Sequence, residues 1–233
     1  ALVAAVIATT VIAALAAAAL LDVALDDSIA AGYRDRDEGR YVLEAVVQQA
    51  VADLAMISNW TLVLNGTVRG RLLDGAPSGR RRPWAIDGVN ARDVVDLGQV
   101  VSLATCGRPS PCSNAETAQA TAARPWGVNN PQWQLFSYGP EALLLTPPAA
   151  GRRYLAVLVG DDPAETDGDP LIDGAPGESG HDIVELQAHV FGARGLHLAV
   201  DVTVGRGTLP ADYGSGVTQG VRVIRRKYTR GPD

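Results

Sequence analysis

The first 21 residues, Ala1 to Leu21, contain no charge, no proline and no glycine. Nothing there breaks a helix or bars it from an apolar medium. At ~1.5 Å per residue a helix of that length spans roughly 30 Å, the thickness of a bilayer core. The segment also lacks a basic n-region and a small-residue cleavage site with a polar flank, which excludes a secretory signal peptide as it stands. The pattern fits a mature chain that starts at its apolar run after removal of a basic leader. Cysteine is scarce: Cys106 and Cys112 are the only two. Their spacing is too wide for a thioredoxin-type CxxC, and two thiols with no histidine nearby do not point to a zinc site. We expect a disulfide between them, which implies an oxidising compartment, with two reduced buried thiols as the alternative.

Excess positive charge is also missing. The formal net charge is −6 over 233 residues, which argues against nucleic acid as a partner. The short cluster Arg80, Arg81 and Arg82, closed by Pro83, reads as a solvated turn. No G-x-G-x-x-G or phosphate loop occurs, and no Ser/His/Asp or Cys/His set is spaced for nucleophilic catalysis. We therefore read the chain as non-catalytic and as needing no cofactor. No internal repeat is present.

The apolar segment is rich in alanine, and small residues let helix backbones approach closely. Thr9 and Thr10 can satisfy their hydroxyls on carbonyls one turn back. Asp22, Asp26 and Asp27 mark the exit from the apolar phase, and Gly32 and Gly39 weaken the helix by ~1 kcal/mol each against alanine. Arg34 to Arg40 is charge-dense with mixed sign. From residue 41 the helix turns amphipathic: Leu43, Val47, Ala50, Leu54 and Ile57 share one stripe, which should lie on a sheet.

The remainder reads as strands and loops. Strand candidates are Trp60–Val68, broken by Asn65-Gly66, then Tyr154–Val159 and Val221–Tyr228. Val94–Thr105 is a further apolar stretch, and residues 106–131 look like loop. Trp133–Tyr138 and Ala142–Thr146 suggest a hairpin around Gly139-Pro140. Ile183–Phe191 and Leu196–Val204 suggest another, flanking GARG. The fold class is α+β, with one long N-terminal helix (1–57, its first 21 residues an apolar stalk) packed on the antiparallel sheet of a β-rich head (58–233).

Two sets of residues suggest ligands. Asp161, Asp162, Asp167, Asp169 and Asp173 form a carboxylate-rich loop with Gly168 and Gly174, the donor type that calcium takes. It lacks the EF-hand pattern, and a solvated acidic turn with aspartates capping backbone amides is the alternative. His189 and His197 sit in the two arms of the second hairpin and can meet across it. With no carboxylate beside them, neither they nor His181 points to a metal. Asn59-Trp60-Thr61 and Asn65-Gly66-Thr67 match the N-glycosylation pattern, and also read as ordinary strand and turn residues.

An apolar ALV start followed by the polar G-x-RDRDEGRYVLEAVVQQA stretch (Gly32 to Ala50) resembles the N-terminal region of PilX-type pilins, a family of the type IV pilin superfamily with GspK-like relatives in type II secretion. Glu44 and Ala45 fall in its Ala-Glu-Ala-rich helix. NNPQWQLFSYGP (129–140), YLAVLVGDDPAETDGDPLIDG (154–174) and VELQAHVFGARGLHLAVDVTV (184–204) resemble the head of such proteins; together these segments cover about half of the chain. The resemblance implies a subunit of an extracellular type IV pilus-like filament, drawn from an inner-membrane pool. Its partners would be copies of itself or other pilins, the inner-membrane assembly machinery and a prepilin peptidase that leaves a processed, methylated N-terminus. The filament core would be built from Ala1, Leu2, Val3, Ala5, Val6, Thr9, Thr10, Ala13 and Ala17. Two departures matter. Ala5 stands where most major pilins carry glutamate, which raises a minor or tip subunit as the alternative. Asp22 stands where many pilins have a helix-breaking proline. A monomeric, membrane-anchored binding or adhesion module is the other reading of the same layout.

Overall fold

The computed structural model describes residues 2–81, 94–123, 130–144, 153–165, 167–178, 180–208 and 219–230. By its contacts the chain divides into two compact units, Ala1–Glu38 and Gly39–Asp233.

A single helix, α1 (Leu2–Ala55), runs through the first unit and into the second. Neither Gly32 nor Gly39 stops it, nor do the aspartates at 22, 26 and 27. In the first unit its apolar side chains stand in the open: Leu2, Val3, Ile7, Ile12, Leu15, Leu20 and Leu25 are all exposed. The threonines behave as their position requires. Thr9 donates to the carbonyls of Ala5 (3.1 Å) and Val6 (2.9 Å), and Thr10 to that of Ile7 (2.8 Å).

In the second unit five antiparallel strands form a meander in chain order: β3 (Gln134–Pro140), β4 (Tyr154–Asp161), β5 (Ile183–Phe191), β6 (His197–Thr208) and β7 (Gln219–Arg230). Two-residue strands β1 (Arg80–Arg81) and β2 (Val95–Asp96) pair separately. β4 is buried at every residue, as expected of a central strand covered on both faces. One face carries Leu155, Val157, Val159, Val184, Leu186, Ala188, Val190, Val200 and Val202, and packs on Leu43, Val46, Val47, Ala50 and Leu54 of α1. The stripe read from the sequence therefore faces the sheet, with Ile57 partly buried just past the helix end. The other face carries Leu135, Tyr138, Tyr154, Ala156 and Leu158 under Val95, Leu97 and Val100. A bulge between Leu135 and Ser137 puts Leu135 and Tyr138 on the same face despite their odd separation.

Four expectations need correction. Trp60–Val68 is not a strand: Thr61–Leu64 forms a short helix, α2, with Trp60 sealed beneath it. Val94–Thr105 is mostly helix α3 (Leu97–Cys106), started by the Asp96 carboxylate accepting from the Gln99 amide and ended by Gly107 at φ 70°. Residues 106–131 contain helix α4 (Asn114–Ala123), opened by a capping box in which Ser113 and Glu116 bond each other's amides. The partner of β3 is β4, not residues 142–146. Pro140 ends β3, and Glu141–Leu143 forms a 3-10 turn. Residues 145–146, 124–129 and Arg82 lie outside the described residues.

The expected β5–β6 hairpin is present, joined by a 3-10 turn at Ala193–Gly195. The observed class is α+β with a long N-terminal helix on an antiparallel sheet, a pilin-like architecture.

Candidate functional site

Of the residues expected in an assembly core, Leu2, Val3, Ala5, Val6, Thr9, Thr10, Ala13 and Ala17 all lie on α1 and are exposed. Ala1 lies outside the described residues. Leu2–Ala55 is long and apolar enough in its best window to cross a membrane, and none of that window is buried within the chain. An apolar surface of this kind is stable only against lipid or protein.

The acidic loop follows β4. Its five aspartates are dispersed among different tasks. Asp162 accepts from the Ala164 amide (3.1 Å), Asp167 from that of Asp169 (3.0 Å), and Asp169 from that of Leu171 (3.1 Å). These are Asx turns. Asp173 is buried. It accepts from the Asp182 amide (2.7 Å), stands 3.6 Å from His181 Nδ1, and its own amide donates to Thr61 Oγ1 (3.1 Å). Burial raises its carboxyl above the ordinary range, with the hydrogen bond from the Asp182 amide working against that.

What the loop does bring together is Asp161, Glu165 and Asp167, whose ligand oxygens all lie within 4.8 Å of one another. Glu165 was missed by the sequence reading, which followed the aspartates alone. A turn closed by the Glu165 amide on the Asp162 carbonyl (3.0 Å) carries it back beside Asp161. The signal was the i, i+4 spacing of two acids across Asp162-Pro163. Asp161 and Glu165 are both buried, at 0% and 1% exposure, while Asp167 is open to solvent. Burial first, and then the negative charge of Glu165, push the Asp161 carboxyl well above its usual range.

Two glycines shape the pocket around Glu165. A Cβ on Gly174 would lie 1.9 Å from Glu165 Oε1, and one on Gly180 would lie 2.7 Å from Glu165 Cβ. Gly180 also holds φ 95°, where a side chain is strained.

Cys106 and Cys112 are joined in a disulfide, with Cα atoms 6.5 Å apart. It ties the end of α3 to the segment leading into α4. His189 and His197 do meet, with Nδ1 and Nε2 3.1 Å apart and Phe191 stacked on His197. His189 Nε2 faces Gln187 Oε1 at 3.1 Å, and Gln187 donates to Asp201 (3.0 Å). If His189 is neutral and donates to Gln187 through Nε2, its Nδ1 accepts from His197 Nε2. Asn59 and Asn65 are exposed and accept from the amides of Thr61 and Thr67 (both 3.0 Å), closing two local turns.

Comparison with protein-family models, curated proteins and solved structures found no match.

Proposed function

We propose that this protein is a structural, non-catalytic subunit of a type IV pilus-like extracellular filament, held in the inner membrane before assembly and polymerising through α1. The observation that carries this reading is the uninterrupted apolar surface of α1 before Asp22, exposed at every described residue. Removing such surface from water yields ~25 cal/mol per Å². Lipid already supplies that gain, so transfer from membrane to filament must be favoured by close backbone packing, for which the alanines are suited. The partners are other copies of the chain or other pilins, with the assembly machinery and prepilin peptidase that the resemblance implies.

The test is substitution in the stalk. Ala13→Asp and Ala17→Asp each place a charge where it costs ~3 kcal/mol or more in an apolar core. Both should abolish filaments on cells while the head stays folded. Normal filament yield from either would refute a stalk-built core. One observation favours a minor or tip subunit: Ala5 offers no carboxylate where major pilins carry one. Side-chain tracing in cryo-EM of sheared filaments separates the two, since a major subunit repeats Leu2–Leu21 throughout the core and a tip subunit does not. A membrane-anchored binding module would instead extract as a monomer and never polymerise.

A further inference from the structure

We propose that Asp161, Glu165 and Asp167 bind a hard divalent cation, calcium in particular. The site is independent of polymerisation and would exist in a monomer.

The argument begins with Asp161. It closes β4, is fully buried, and among the described residues neither of its carboxylate oxygens has a partner at full hydrogen-bond geometry. A buried carboxylate without donors is among the costliest groups a protein can hold, and such groups survive by pairing or by coordinating a metal. Pairing is not what surrounds it: the charged groups acting most strongly on Asp161 and Glu165 are acidic, namely each other, Asp167 and Asp173. Three ionised ligand oxygens converging within 4.8 Å repel one another, and either a shared proton or a cation between them relieves this.

The pocket is built rather than incidental. Asp161 is fixed by the β4 ladder, opposite Val184 of β5. Glu165 is seated between Gly174 and Gly180: a Cβ on Gly180 would press on its backbone, and one on Gly174 would displace its carboxylate. Asp167 is exposed to solvent. The donors are all carboxylate oxygens, with no imidazole or thiolate in the set. That selects a hard ion over zinc or copper. Calcium accepts mono- or bidentate carboxylates at irregular angles, whereas magnesium demands a near-octahedral shell.

Trp133 supplies the probe. It packs against Gly160, the residue before Asp161: a Cβ there would lie 3.3 Å from Trp133 Cε3. Terbium, a calcium mimic, should luminesce on tryptophan excitation when added to the full chain in detergent, and calcium should quench that signal by competition. Calcium should also raise the melting temperature. Asp161→Asn and Asp167→Asn should each weaken terbium and calcium binding by at least roughly tenfold, since even outer partners of metal ligands are worth that much. Asp169→Asn, outside the set, should bind as the wild type does. If Asp161→Asn fails to fold, Asp167→Asn decides, because its side chain is exposed. The proposal is overturned if the wild type shows neither sensitised luminescence nor a calcium-dependent melting shift, if Asp167→Asn binds unchanged, or if Asp169→Asn loses as much as Asp167→Asn.

Discussion

Arg206 of β6 holds together three parts of the second unit. Its guanidinium donates to the carbonyls of Ile57 (2.7 Å) and Ser58 (3.1 Å), just past the end of α1, and pairs with Asp182 at 2.6 Å. It also lies over the Trp60 ring, 4.5 Å from the centroid. Two carbonyls of the segment just beyond α1 are thus met by a cation from a distant strand. Arg206→Ala should cost about 2–4 kcal/mol in urea unfolding, from lost charge-assisted bonds and the cation–π contact together. A second residue-scale prediction concerns acid. Burial, then the charge a protonated His197 would place beside it, hold the His189 imidazole down to about 3, against an ordinary 6.5. The unfolded chain therefore takes up this proton first as pH falls. The contribution of His189 is full above pH ~6.5 and declines by ~1.4 kcal/mol per pH unit below it, until the folded-state value is reached. The raised carboxyls of Asp161, Asp173 and Glu185 act in the opposite sense. The comparison of wild type with His189→Gln isolates the term: urea midpoints should fall less between pH 7 and pH 4 in the variant.

At the scale of elements, the two helix glycines make opposite predictions. A Cβ on Gly32 would meet nothing within 4 Å, while one on Gly39 would lie 2.8 Å from Leu198 Cδ1. Gly32→Ala should stiffen α1 by ~1 kcal/mol, read as slower amide exchange around residue 32. Gly39→Ala should show no such gain, because Leu198 must move. Reducing the disulfide, or Cys106→Ser with Cys112→Ser, should cost only ~2 kcal/mol for so small a loop, with the five-stranded sheet intact by circular dichroism. The elements also show what the sequence could disclose. β4 to β7 were readable because buried runs and strict alternation survive in any context. α1 was readable from its length and its stripe. α2 was not, since a short apolar run such as Thr61–Leu64 fits helix and strand equally. α3 and α4 were legible in principle: Leu97, Val100, Val101 and Ala104 recur at helical spacing between Asp96 and Gly107, and Ser113-x-x-Glu116 is a capping box. The acidic loop was visible as a composition, but not as a set. Local turns took Asp162 and Asp169, Asp167 serves both a turn and the set, and folding drew in Glu165.

For the whole molecule, the division after Glu38 has a simple test. Every buried side chain of the main core lies at Leu43 or beyond. A chain beginning at Gly39 should therefore melt cooperatively, within a few degrees of the full-length protein in detergent. Loss of cooperative melting would mean that the head depends on the stalk.

The sheet pairs each strand with the next in the chain, whereas α1 closes on the last ones: Glu44 bonds Arg226 and Tyr228. Synthesis delivers these partners in the least convenient order. Until β4 to β6 have been made, Leu43, Val47 and Leu54 have no sheet to cover them, and contacts so distant in sequence form late. The nascent helix must wait with its apolar stripe uncovered, so anchoring of the first turns in a bilayer would serve to keep waiting chains apart as well as to store finished ones.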